Sequence, residues 1–182
     1  MKALHPLLAA LAVVAVLVVV VVVSRRAAPP APPPPAGTPA PTPVPVQVVL
    51  FYPGDDTLLH REVREVPELP ADTSPRARVV LEELIAGSRE GFAPAFPWQA
   101  TVEAVFLDRA GNAYVDLSPP PAGAVAGSAG EVALAYATVN SLVANCPGVS
   151  RVQLLFGGRQ VETLGHLDLS RPLAPQPGLV AP

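Results

Sequence analysis

Seventeen consecutive apolar residues, Leu7 to Val23, open this chain, and a segment in which ten of seventeen residues are proline, Pro29 to Pro45, follows them. At about 1.5 Å per residue the apolar run makes a helix of roughly 25 Å, the lower end of what spans a bilayer. The proline segment has few backbone donors and favours polyproline II, a semi-rigid spacer of roughly 50 Å at about 3.1 Å per residue. Compact folding is therefore confined to what comes after. The expected organisation is a transmembrane signal-anchor over residues 1–26, a Pro-rich linker over 27–45, one folded domain over 46–173 and an irregular tail over 174–182.

A retained anchor is the reading of the apolar run. A cleaved signal peptide has a shorter apolar core and a small-residue cleavage site. Here the run is closed by Ser24-Arg25-Arg26, and prolines follow the Ala27-Ala28 pair. A cleaved signal and a buried soluble helix are the competing readings. The sole cysteine, Cys146, lies far downstream, so a lipid-modified cysteine after the run is excluded, as are an internal disulfide and a cysteine-based zinc cluster.

From residue 46 onward nine arginines and no lysines stand against fifteen acids, a formal charge of −6. Such a domain lacks the basic face of a nucleic-acid binder. Asp55, Asp56, Glu62 and Glu65 gather early as a candidate acidic patch. It reads first as a solvated edge and second as a cation site or a docking patch for a basic partner.

Val46 to Tyr52 is β-branched and aromatic, and Pro53-Gly54-Asp55-Asp56 ends it as a turn. Leu58 to Val66 is a second, more exposed strand. Ser74-Pro75 has the N-cap and first-turn chemistry of a helix, with Ala77, Val80, Leu81, Leu84 and Ile85 on one face and Gly87 as the stop. Thr101 to Leu107 and Ala113 to Leu117 are strands joined through Gly111-Asn112. Ser128-Ala129-Gly130-Glu131 has the capping-box pattern, and Val132, Ala135, Tyr136, Val139, Leu142 and Val143 form the apolar stripe of a second helix reaching Cys146. Val149 to Phe156, a Gly157-Gly158 turn and Arg159 to Leu164 complete the pattern. The expected fold is α+β: two amphipathic helices on one face of a mainly antiparallel sheet of about six short strands, in the order β-β-α-β-β-α-β-β.

No GxSxG, HExxH, Walker loop or dinucleotide fingerprint occurs. His60, His166 and Asp168 invite an acid–base or metal sketch, yet no pattern forces them together. Asp116 reads as a turn-capping carboxylate. The expectation is no catalytic residue, no metal and no cofactor. Phe92, Phe96 and Trp98 make the densest aromatic patch of the chain; they read first as a loop tucked onto the core by its own rings and second as the candidate partner-binding residues.

Several segments in order resemble the GerMN domain of sporulation and spore-germination proteins. They are Val48 to Tyr52, Leu81 to Gly87, Ala113 to Ser118, the helix with Thr138 to Leu142, Gly148 to Val152, and the closing Glu162 to Ser170. The resemblance implies an extracytoplasmic bacterial α+β domain without known catalytic activity, here in one copy behind a Val-rich span. Lys2 against Arg25 and Arg26 mildly favours a cytoplasmic domain. The stalk and the resemblance favour the opposite, and the domain is expected outside the cytoplasmic membrane. The function expected is a non-enzymatic, membrane-anchored envelope module that binds an envelope protein in sporulation-type or cell-wall assemblies. A peptidoglycan-binding module, stacking sugars on Trp98, Phe96 and Tyr52, is the alternative, and a wall hydrolase using Asp116, Glu103 or His166 comes last.

Overall fold

The β-branched opening of the domain folds as strand β1 (Val46–Pro53), which turns through Gly54–Leu58 and returns as β2 (Leu59–Val66). The computed structural model describes residues 45–124 and 127–182, so the expected anchor and nearly all of the linker lie outside the described residues. Then follow α1 (Thr73–Ile85), β3 (Val102–Leu107), β4 (Asn112–Leu117), α2 (Ser128–Asn145), β5 (Arg151–Phe156) and three two-residue strands. These last are β6 (Arg159–Gln160), β7 (Thr163–Leu164) and β8 (Leu167–Asp168), and a 3₁₀ turn at Pro177–Leu179 comes near the end. Among the described residues no helix is long and apolar enough to cross a membrane.

The α+β class and the element order through β5 match the expectation; the single mainly antiparallel sheet does not. The strands form three sheets, β1-β2, β3-β4-β5-β6 and β7-β8. Within the four-stranded sheet, β4 and β5 run parallel, with Asn112 opposite Arg151 and Leu117 opposite Phe156. The reason is the intervening α2, which carries the chain back to the end where β4 began, as parallel pairs require. Arg159 to Leu164 is not one strand. Gly157 and Gly158, at φ 60° and 74°, make the tight turn, but pairing stops at Gln160. Gly165, at φ 57°, then folds Thr163–Leu164 onto Leu167–Asp168.

Both helices begin differently from their sequence signals. The N-cap of α1 is Asp72, without a side-chain cap bond, so Pro75 sits at the third helical position, where its missing N–H is still one of the unpartnered four. The N-cap of α2 is Gly127, and Glu131 does not close a capping box. Its carboxylate instead accepts the His166 backbone N–H at 2.8 Å, tying the helix start to the β7–β8 turn.

The core joins Val48, Leu50 and Tyr52 of β1 to Val80, Leu81 and Leu84 of α1, Leu134, Val139 and Leu142 of α2, and Val115 and Leu154 of the larger sheet. Helix α2 packs against β1, α1 and β5 at once. Ten of its eighteen residues are therefore buried, including Ala137, Thr138, Asn140, Ser141 and Asn145, while Val132, Tyr136 and Val143 of the expected stripe are half-buried. Polar residues of this helix close the outer edge of β1. Asn145 Oδ1 accepts the Val49 N–H at 2.8 Å, and its Nδ2 donates to the Val49 carbonyl at 2.6 Å. Ser141 Oγ accepts the Phe51 N–H at 3.0 Å. A helix thus stands where a neighbouring strand would pair. The C-terminal segment is irregular for most of its length, but Val180 bridges Leu59, and the Ala181 N–H donates to the Leu59 carbonyl at 3.0 Å.

Candidate functional site

From Arg61 onward strand β2 alternates, with Glu62, Arg64 and Val66 inward and Arg61, Val63 and Glu65 outward. That places two charges inside, Glu62 2% and Arg64 3% exposed. Arg64 forms an ion pair with Glu62, donates to Glu83 Oε2 at 2.9 Å, and reaches the carbonyls of Glu83 and Gly87, each at 2.8 Å. The Tyr52 hydroxyl lies 3.1 Å from each of those carbonyls and 3.3 Å from Arg64 Nη2. Carbonyls at the end of α1 that the helix cannot satisfy are thus met by a guanidinium and a phenol, and the positive charge suits a helix C-terminus.

Glu62 looks the other way, to the loop that follows α1. It accepts from the Ser88 hydroxyl at 2.6 Å and from the backbone N–H groups of Arg89 and Glu90 at 3.1 and 3.4 Å. Burial pushes the Glu62 carboxyl up, but its bonds to Ser88 and Arg64 outweigh that and leave it below the ordinary carboxylate range. Burial also raises the Tyr52 phenol, to about 12, against the opposing pull of Arg64. The result is a buried latch that ties the aromatic loop to the β1-β2 hairpin and the end of α1.

The three aromatics proposed for partner binding occupy three environments. Phe96 is a core residue, about 4% exposed. Trp98 is half-buried and meets Phe96 edge-on at 5.5 Å between ring centroids, with its indole nitrogen buried and unpartnered. Phe92, also half-buried, stacks on His60 at 4.9 Å. His60 Nε2 lies 2.9 Å from Asp56 Oδ1, and these residues share a concavity of about 380 Å³ with Asp55 and Glu90. Of the candidate acidic patch, Asp55, Asp56 and Glu65 are exposed, and Glu62 is inside the latch. The sugar-stacking set loses Tyr52 and Phe96, both buried, and keeps only half-buried Trp98. Sequence reasoning missed the latch. Its signal was Glu62 and Arg64 two residues apart, on the strand face that also carries Val66.

The remaining polar candidates stand apart. Asp116 Oδ1 accepts the Gly158 N–H at 2.9 Å, a turn-capping role as the sequence indicated. Glu103 is exposed and accepts from the Thr101 hydroxyl at 2.7 Å. The exposed His166 side chain lies beside Glu131, and Asp168 accepts from Ser170. Among the described residues no group of three or more His, Cys, Asp or Glu side chains is placed to hold a metal. Cys146 is buried, and burial raises its thiol to about 11 even with Arg76 nearby, which makes it a core residue.

A family model, Germane, described as sporulation and spore germination, matches residues 49–162. No curated protein matches the chain. Two solved structures share the fold. The first GerMN domain of the sporulation protein GerM from Bacillus subtilis is 18% identical over 71% of this chain and 97% of that one, with a TM-score of 0.53. The tandem GerMN domains of the same protein are 17% identical over 72% of this chain, also at 0.53. This chain spans 46% of that tandem structure, in keeping with a single copy.

Proposed function

Because this chain belongs to the Germane family of sporulation and spore germination, we propose that it is a non-enzymatic module of the bacterial cell envelope that binds another envelope protein. The observation that carries the reading is the family match over residues 49–162, from within β1 to just past β6. In this reading Leu7–Val23 anchors the chain as a single pass of the cytoplasmic membrane, and the Pro-rich segment holds the domain outside it. Sporulation-type or cell-wall assemblies are the setting.

The contact surface is the loop that the latch holds, seen from outside: Phe92 on His60, the exposed Pro97 beside Trp98, and the acids Asp55 and Asp56. A loop held by a buried carboxylate presents its surface pre-ordered, which lowers the entropic cost of binding. In-cell photo-crosslinking tests this with one probe at Pro97 and another at Asp56, since Lys2 is the chain's only lysine and amine-reactive reagents would miss the domain. A discrete adduct to an envelope protein is expected. Adducts confined to cytoplasmic proteins would overturn the topology, and no adduct from either probe would overturn the contact surface. Peptidoglycan binding is the second reading, and co-sedimentation of the full chain with purified peptidoglycan separates it from the first.

A further inference from the structure

At the end of the four-stranded sheet, where β5 starts, Asn112, Arg151, Asp168 and Arg171 line a concavity of about 470 Å³ together with Pro172, Leu173 and Ala174. It brings two exposed arginines to one hollow of a domain whose formal charge is −6. Four other arginines of the domain are engaged: Arg64 in the latch, Arg76 on the Pro70 and Asn145 carbonyls, Arg78 on the Glu103 carbonyl, and Arg89 on Glu83. Arg61, Arg109 and Arg159 are, among the described residues, unpaired like Arg151, but none of them lines this concavity. Among the described residues the Arg151 side chain has neither an ion pair nor a hydrogen bond, and Arg171 only a loose approach to Asp168 at 4.0 Å. Two like charges in one hollow repel, and a bound anion relieves that repulsion.

The hollow is built on fixed backbone. Asn112 and Arg151 are cross-strand neighbours in the parallel ladder. Leu173 is held against the next residue of β5 by two bonds, Val152 N–H to its carbonyl at 2.9 Å and its own N–H to the Val152 carbonyl at 2.8 Å. Gln160 Nε2 donates to the Ser170 carbonyl at 2.7 Å and holds the segment just before Arg171.

From this arrangement we propose that the hollow is a binding site for the carboxylate at the end of a peptide chain. Planar guanidinium groups match a carboxylate's geometry. Asp168 has one oxygen occupied by the Ser170 N–H and hydroxyl, at 2.8 and 2.6 Å, and turns the other toward Arg171. That acid opposes a dianion such as phosphate and offers an acceptor to the N–H of a terminal residue. Pro172, Leu173 and Ala174 supply an apolar wall for a small side chain. A protein C-terminus and the free end of a cell-wall stem peptide share this chemistry.

The test is isothermal titration calorimetry on the full chain. The ligands are N-acetyl-L-alanyl-L-alanine and N-acetyl-D-alanyl-D-alanine, each as free acid and as C-terminal amide, with inorganic phosphate as comparison. Free acid is expected to bind at least about tenfold more tightly than its amide, and R151Q and R171Q each to weaken it about five- to tenfold. Both arginines are exposed, so unchanged melting temperatures separate lost binding from lost folding. Preference for the L peptide identifies a protein terminus and preference for the D peptide a wall peptide, and either supports the site. Equal binding of acid and amide, insensitivity to both substitutions, tighter binding of phosphate, or no heat from any acid at millimolar concentration would each overturn it. The outcome does not depend on the envelope-protein reading, which the crosslinking tests separately.

Discussion

Glu62 is a buried carboxylate on which donors from four residues converge, Arg64, Ser88, Arg89 and Glu90. Replacing it by alanine leaves Arg64 with Glu83 as its one remaining carboxylate and leaves the Ser88, Arg89 and Glu90 donors without their acceptor, and Glu62→Ala should cost about 1–3 kcal/mol in urea denaturation. Glu62→Gln keeps the shape and should cost less, while speeding amide exchange at Arg89 and Glu90. The linkage signs follow from the two shifted groups. The folded-state carboxyl of Glu62 lies below its ordinary 4.5, so its contribution is full above that pH and is lost as pH falls through the lower folded value. Tyr52 is raised from 10.0 to about 12, so its contribution is full below pH 10 and is lost as pH climbs from there to about 12. A thermal-melt profile across both limbs should fall at each end. Cys146, raised from 9.0 to about 11, shares the alkaline limb, so Tyr52→Phe should make its upper part, toward pH 12, shallower and lower the plateau by about 0.5–1.5 kcal/mol. An alkaline limb unchanged in Tyr52→Phe would show that another group controls it.

Among the elements, the closure of β1 by α2 carries the clearest consequence. Asn145 presents an amide to the Val49 N–H and C=O as a neighbouring peptide would. Asn145→Ala leaves both groups without partners and should lose about 2–4 kcal/mol, with a concentration-dependent oligomer on size-exclusion as the freed edge pairs with another copy. Destabilisation without any oligomer would mean that the edge remains covered by α2. Neither this contact nor the sheet arrangement was legible in the sequence. Local periodicity showed both helices and the first five strands, because burial of Val80, Leu81 and Leu84 or of Val48 and Leu50 leaves a regular trace. Which strand pairs with which depends on where α2 returns the chain, and no window of residues contains that. The same limit explains the stripe of α2. A helix wrapped on several sides has no single apolar face, and Asn145 and Ser141, polar and outside the expected stripe, serve the interior. Of the candidate site, the aromatic loop was visible by composition. Its sorting into the core Phe96 and the half-buried Phe92 and Trp98 was not, since three aromatics within seven residues look alike until their neighbours are known.

At the scale of the whole molecule, the segment after Leu173 closes the fold from outside. It brings Val180 and Ala181 onto Leu59 and lines, with Phe51 and Val143, one apolar recess. Deleting residues 175–182 should lower the melting temperature and speed amide exchange in β2 before the larger sheet is affected. Uniform acceleration across both sheets would instead make the segment part of one cooperative unit. The geometry of attachment also sets how the domain answers a pull. Val46 pairs with Val66 at one end of the β1-β2 ladder, while Leu59, which carries the Val180 bridge, lies opposite Pro53 at the other end. Tension between these two points acts along the strands and loads the rungs of an eight-residue ladder together, so the hairpin is sheared where a pull on adjacent ends would peel it open. Stretched between a membrane on one side and a partner gripping the C-terminal segment on the other, this domain would behave as a stiff mechanical link.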